Sequence, residues 1–205
     1  MSIFSFKRKI FPDWRLMKDK SSLCAHSGIQ QRRVNYWETY APVVNWILVC
    51  TFFLILSIHN LETCSINSVL TFPQAELDIN IFIDIPMGMK VHGACRHVPK
   101  PNKSLYGLKQ ASANWFDHIK KGLKSKISGQ NFTQSRVYPC VFYRRYWIIL
   151  CYVDDWVLVS RDTKTIDFIV KYLIDGPENY LLIDKGMIQY HLGVDIKPGP
   201  NEGEF

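Results

Sequence analysis

No two of the six cysteines in this 205-residue chain have the close spacing of a zinc knuckle or a redox pair. That leaves a disulfide-stapled secreted scaffold without support. Reduced thiols in an intracellular protein, cytoplasmic or nuclear, are the expectation. A secretory signal is missing too: Met1 to Ile10 is short and already carries Lys7, Arg8 and Lys9. There is no apolar run of membrane-spanning length. The longest, Trp46 to Ile58, falls short of the ~20 residues a bilayer requires. It reads as a buried core helix, and no membrane partner is expected. Internal repeats and long low-complexity linkers are also lacking, so solenoids and disordered arrays are set aside.

What is present is globular. Hydrophobic residues make up 47% of the chain, too many for a disordered segment. The length suits one good-sized domain, or two small ones sharing a core. Twenty-five Lys and Arg outnumber 18 Asp and Glu, for a net charge of +7. A basic surface suits a polyanionic partner, though by itself it singles out none.

Residues 1–27 read as strand, turn and strand. Ser2 to Ile10 alternates loosely between apolar and basic residues, Pro12-Asp13-Trp14 is a turn signal, and Arg15 to Ala25 carries Arg15, Lys18 and Lys20. Such a basic hairpin fits a phosphate backbone or a triphosphate, and equally a solvated charged surface. A proline-marked stretch around Pro42 leads into the apolar helix, which runs to about Asn60. A short strand over Leu61 to Ile66 follows, then a turn and short helix from Phe72 to Leu77, and an alternating strand over Ile79 to Asp84. From Pro86 to Lys103 the chain is loop; Cys95 and His97 there read as surface residues, not metal ligands. Leu108, Ala111, Trp115, Ile119 and Leu123 predict a helix from about Leu108 to Lys126 with one apolar face. Ile166, Ile169, Val170, Leu173 and Ile174 predict another over 163–174. Strands are expected at 140–143, 146–153, 180–184 and 188–196, and Pro198 to Phe205 reads as a tail. Hairpins mixed with isolated helices make this an α+β chain: an antiparallel sheet with helices packed on one face.

The chemistry centres on Ile148 to Ser160, where Asp154 and Asp155 interrupt an apolar, β-branched run. A hairpin turn here holds two carboxylates side by side at the tip of a buried sheet. Like charges so placed repel and lose hydration, a cost that divalent cations relieve. Asp is also a common turn residue, and these residues alone favour that plainer reading.

Several segments together resemble one family. Tyr152-Val153-Asp154-Asp155 between apolar strands is similar to the central motif of reverse transcriptases. Glu38-Thr39-Tyr40-Ala41-Pro42-Val43-Val44, Asn102 to Ala111, Tyr138-Pro139-Cys140-Val141-Phe142-Tyr143 and His191-Leu192-Gly193-Val194-Asp195-Ile196 resemble segments of copia-type retrotransposon polymerases. The set is ordered and spans nearly the whole chain. The resemblance implies a right-hand polymerase fold, fingers and palm, over residues 1–197. It implies template-directed addition of deoxynucleoside triphosphates to a primer on an RNA or DNA template. Three carboxylates holding two Mg²⁺ ions perform that reaction in the family.

The resemblance also implies roles. Asp154 and Asp155 supply two of the acids and are the metal ligands. Phe72 matches the aromatic that acts as a steric gate against the ribose 2′-hydroxyl, Gln110 a residue near the incoming nucleotide, and Leu192-Gly193 the primer-gripping hairpin. Read from the residues alone, Phe72 is core, Gln110 a polar surface position and Gly193 a strand bulge.

Departures from the family pattern are concentrated at the chemistry. Alignment on Phe72-Pro73-Gln74-Ala75-Glu76-Leu77 puts Asn67 at the position of the third acid. A neutral amide there removes one of three negative charges from a doubly cationic site. The basic fingers strand reads Lys20-Ser21-Ser22-Leu23, so Lys20 remains for the nucleotide but Ser22 replaces an arginine. The turn carries Trp14 where the family has glycine, Tyr138 stands in place of an acid, and the 89–101 loop is short. We therefore expect a truncated copy, without the family's upstream fingers sequence, protease, integrase or ribonuclease H, that is impaired or inactive. The alternatives are a non-catalytic nucleic-acid-binding relic of the same fold and an unstable relic.

Overall fold

The computed structural model describes residues 2–11, 13–86, 88–89, 99–125 and 131–196. Within it the chain divides into two compact units, Met1–Tyr40 with Phe72–Trp115, and Ala41–Thr71 with Phe116–Phe205. Pro12, Cys95, His97, Lys126 and the 198–205 tail, all singled out above, lie outside the described residues.

In the first unit β1 (Ser2–Ile10) and β2 (Leu16–Ala25) form an antiparallel ribbon as the alternation predicts. Trp14 sits at φ 67° in the connecting turn, a conformation that glycine accepts and a bulky L-residue resists. The far end of the ribbon is anchored: the Ala25 amide donates to the Tyr106 carbonyl at 2.8 Å. Ala25, Ile81, Ile83, Leu108 and Ala111 form the small core, with Phe72, Leu77, Ile79 and Leu105 packed on it. The expected strand at 79–84 is not one. Ile81 and Ile83 are buried and Phe82 is exposed, so the alternation is real. Yet Ile83 N–H finds only the Pro99 carbonyl, at 3.0 Å, and no ladder forms among the described residues. Alternating burial reports a half-covered extended segment, with or without a paired neighbour.

The second unit is built on a six-stranded antiparallel sheet. Its strands are β3 (Glu62–Ser68), β4 (Thr133–Gln134), β5 (Val141–Arg144), β6 (Trp147–Tyr152), β7 (Asp155–Ser160) and β8 (Leu182–Asp184), in the order β4-β5-β6-β7-β3-β8. Between β3 and β4 the chain forms α2 (Thr71–Gln74) and α3 (Ala111–Lys124). Helix α1 (Trp46–His59) starts where the Asn45 side chain accepts the Leu48 N–H at 2.8 Å and ends at Asn60, φ 47°. Helix α4 (Thr163–Asp175) follows β7, capped by the Asp162 carboxylate on Thr165 N–H at 2.7 Å. Its Ile166, Ile169, Val170 and Leu173 are buried, as their spacing predicts. The last segment is not one strand but a minimal hairpin, β9 (Tyr190–His191) and β10 (Val194–Asp195), broken at Leu192 and Gly193 with φ of 48° and 90°.

Helices cover both faces of this sheet, not one. Val157, Val159 and Leu150 cluster with Val49, Phe52 and Leu56 of α1. Their neighbours along the strands, Trp156, Leu158, Ile149 and Cys151, point the opposite way and are equally buried. On that second face the Phe116 ring of α3 stands 6.3 Å from Phe142, and α4 rests against β3, β7 and β8. Strands apolar on both sides need cover on both sides, a pattern plain in Ile148-Ile149-Leu150-Cys151. Helix α1 is correspondingly less buried than its composition predicts: Trp46, Ile47, Leu54 and Ile58 are exposed on its outer side. Among the described residues no helix is long and apolar enough to cross a membrane.

Candidate functional site

The acidic pair stands at the tip of the β6–β7 hairpin, with Tyr152 paired to Asp155 across a two-residue turn. Val153 takes φ 49° there, strained for a β-branched residue. The indole N–H of Trp156, fully buried below, donates to the Val153 carbonyl at 3.2 Å and holds the turn down. Asp154 is exposed and Asp155 half-buried. The Asp154 carbonyl accepts the Ser68 N–H at 2.7 Å, which ties the tip to β3.

The register of β3 on β7 sets Asn67 directly opposite Asp155. Opposed side chains share a face and meet: Asn67 Nδ2 donates to Asp155 Oδ1 at 2.8 Å and lies 3.4 Å from the Asp154 carbonyl. The structure thus brings Asn67, Asp154 and Asp155 together. A fourth residue joins them that the sequence did not single out. Lys185 Nζ stands 3.3 Å from the same Asp155 Oδ1. Thirty positions separate the two in sequence, and no local pattern links them.

His191 also belongs here. It is 3% exposed, and its Nε2 has no hydrogen-bond partner among the described residues. Burial holds the imidazole below its usual pKa; Asp155 pulls it up and Lys185 pushes it further down. It opens the His191 to Ile196 segment singled out above, which was the signal available in the sequence. Next to it, Leu192 packs on the α1 cluster and Gly193 caps the hairpin in open space.

The remaining expected residues lie in the first unit. The Phe72 and Tyr106 ring centroids are 5.1 Å apart, and Lys20 Nζ is 5.8 Å from the Tyr106 ring. Tyr106, quoted above only as part of a motif, is therefore what links Phe72 and Lys20. Gln110 is fully buried, not a surface position. Its amide donates to the Asn35 carbonyl at 2.9 Å and its oxygen accepts from Gln30 Nε2 at 3.0 Å. Gln30 in turn accepts the Lys109 N–H at 2.9 Å. The β1–β2 register adds a feature the alternation only hinted at. Lys7 opposes Lys20 and Lys9 opposes Lys18, gathering four lysines on one face while Phe4, Phe6 and Leu23 take the other. Like charges directly opposed destabilise a ribbon unless an anion lies between them.

The donors at the acidic tip do not fit two divalent ions. Two carboxylates are present, the amide turns its N–H₂ towards Asp155, and an ammonium occupies the same oxygen. Among the described residues no group of three or more His, Cys, Asp or Glu side chains could hold a metal ion. Hard divalent cations need oxygen lone pairs, preferably charged ones.

A family profile described as reverse transcriptase (RNA-dependent DNA polymerase) matches residues 3–202. The chain is 30% identical over 196 residues to the retrovirus-related Pol polyprotein from transposon TNT 1-94 of Nicotiana tabacum, covering 93% of this chain and 14% of that protein. It is 22% identical over 196 residues to the Pol polyprotein from transposon RE2 of Arabidopsis thaliana, covering 95% and 13%. A 99-residue stretch is 38% identical to the transposon Ty1-NL2 Gag-Pol polyprotein of Saccharomyces cerevisiae, covering 46% and 6%. The chain thus spans less than a sixth of each of these relatives. No solved structure matches it.

Proposed function

Because the chain belongs to the reverse transcriptase family of copia-type retrotransposons, we propose that it is a fingers-and-palm domain that engages a primer on an RNA or DNA template, and that it synthesises DNA poorly or not at all. The observation that carries this reading is Asn67 facing Asp155 across β3 and β7. The position is one where the family's reaction draws on a third carboxylate. Divalent metal is the cofactor of that family, and it supplies the charge that makes the primer hydroxyl nucleophilic and stabilises the leaving pyrophosphate. Removing one carboxylate from the set lowers the negative charge available to attract such ions. Each ~1.4 kcal/mol lost from the transition state costs tenfold in rate, so a deficit of several orders of magnitude is expected.

Within this reading Asp154 and Asp155 remain the acidic centre. Lys20 and Phe72, both against Tyr106, belong to the nucleotide side, with Gln110 holding the adjoining loop in place. Leu192 and Gly193 form the primer-side hairpin. The four-lysine face of the β1–β2 ribbon favours a second possibility, a binder of template–primer that no longer extends it.

Primer extension on RNA and DNA templates, with Mg²⁺ and with Mn²⁺, tests the reading beside a binding titration at several salt concentrations. Salt-dependent binding with extension near background is the expected result, and Asn67→Asp should raise extension. Efficient synthesis by the unmodified chain would overturn the claim of impairment. Absence of salt-dependent template–primer binding would overturn the nucleic-acid reading itself.

A further inference from the structure

We propose that Lys185 is the resident cation of the acidic hairpin: with Asn67 it occupies one carboxylate oxygen of Asp155 and competes there with any divalent ion. The proposal rests on the family reading of that hairpin and extends it to a residue which that reading does not use.

Three observations carry it. First, Asp155 Oδ1 already has two donors, Asn67 Nδ2 at 2.8 Å and Lys185 Nζ at 3.3 Å. A metal ligand must offer a lone pair outward; this oxygen already spends its lone pairs on two hydrogen-bond donors. Asn67 cannot easily turn to help, because rotating its amide would aim its carbonyl oxygen at a carboxylate oxygen and lose the hydrogen bond.

Second, the main chain of Lys185 is held in place, although its side chain is half-exposed. Its own N–H donates to the Ser65 carbonyl at 2.8 Å, and the Ser65 N–H donates to the Gly186 carbonyl at 2.8 Å. The preceding Asp184 carboxylate accepts the Gly186 N–H at 2.7 Å and the Cys64 thiol at 3.1 Å. Gly186, at φ +73°, supplies the turn. Burial and that carboxylate push the Cys64 thiol up to about 12, so it stays protonated and keeps donating. The Lys185 backbone is thereby fixed to β3 two residues from Asn67, and the side chain reaches the acid from a constrained start.

Third, the charge at the tip is halved without an added ion. Two carboxylates and one ammonium leave one net negative charge at the tip, carried mainly by exposed Asp154. A second cation gains little from so small a residual charge, and it meets an ammonium in its path.

Mn²⁺ titration followed by electron paramagnetic resonance tests this on the full chain and on Lys185→Met, Lys185→Arg, Asn67→Asp and the Asn67→Asp/Lys185→Met double variant. The unmodified chain and Lys185→Arg should bind Mn²⁺ weakly and alike. Lys185→Met should bind at least ~10-fold more tightly, and the double variant most tightly of all. Thermal unfolding supplies an independent readout: Lys185→Met should melt below the unmodified chain without metal and recover when Mn²⁺ is added. Equal Mn²⁺ affinity for the unmodified chain and Lys185→Met would overturn the proposal, as would an Mn²⁺-insensitive melting point in a folded Lys185→Met. Template–primer binding, measured on the same proteins, separates the two readings. Its loss would defeat the polymerase assignment while leaving the Mn²⁺ comparison intact.

Discussion

Gly122 lies against Tyr180. A Cβ built on Gly122 would stand 2.0 Å from the Tyr180 hydroxyl oxygen and 2.9 Å from the ring carbon that bears it. That hydroxyl donates to the His118 carbonyl one turn earlier in α3, at 3.1 Å, and the Tyr180 ring meets both His118 and Trp156 edge-on. A glycine within a helix ordinarily costs ~1 kcal/mol against alanine. Here it makes room for the ring that joins α3 to the sheet. Gly122→Ala is therefore expected to destabilise by about 1–3 kcal/mol, and Tyr180→Phe in the same chain to relieve part of that loss. Urea unfolding of the two single variants and the double variant reads both effects.

Gly107 is under a stricter constraint. It sits at φ +87°, and a Cβ there would stand 2.1 Å from the Ala25 carbonyl oxygen. Backbone cannot rotate out of the way as a side chain can. Gly107→Ala should cost about 2–4 kcal/mol, combining left-handed strain with overpacking. Because Ala25 N–H bonds Tyr106 next door, amide exchange at Ala25 should speed up more than exchange in β6 or β7.

Stability should depend on pH through His191. Its imidazole pKa is depressed in the folded state, by burial first, so below the unfolded value of about 6.5 the unfolded chain binds the extra proton. The contribution is whole above that value and is lost as pH falls through the lower folded pKa. Melting temperature is expected to be level between pH 7 and 8 and to drop below about pH 6.5. His191→Phe, which fills the position with a ring that cannot titrate, should flatten this part of the profile; an unchanged slope would remove His191 as its source.

The lysine face of the ribbon makes a separate prediction. If Lys7, Lys9, Lys18 and Lys20 contact phosphates, each lysine replaced by alanine should lower the slope of log K against log salt by ~0.7–0.9. Lys7 and Lys20 oppose each other, so relieving one of them should also stabilise the ribbon slightly. Alanine at Arg8, paired with Asp19 at 3.0 Å, should leave the slope nearer its original value.

Much of this was legible in the residues, and the failures have a common cause. The β6–β7 hairpin and the buried stripes of α3 and α4 follow from periodicity, which is local. The cover on both sides of the sheet was also written in Ile148 to Cys151, but an antiparallel order invited the one-sided reading. Segment 79–84 has a strand's alternation without a partner, because pairing is a property of two segments and the pattern belongs to one. Lys185 could not be found from sequence at all: its meaning depends on β8 lying beside β3 and on β3 lying beside β7.

The register of β3 on β7 has a consequence for descent. Cys64 opposes Leu158 and Ile66 opposes Trp156, and all four are buried, so folding itself keeps position 67 across from Asp155. Asparagine and aspartate codons differ by a single transition. A lineage can pass between the two residues at this position while the surrounding packing stays as it is, so the scaffold records an ancestry that no longer depends on whether the reaction is still performed.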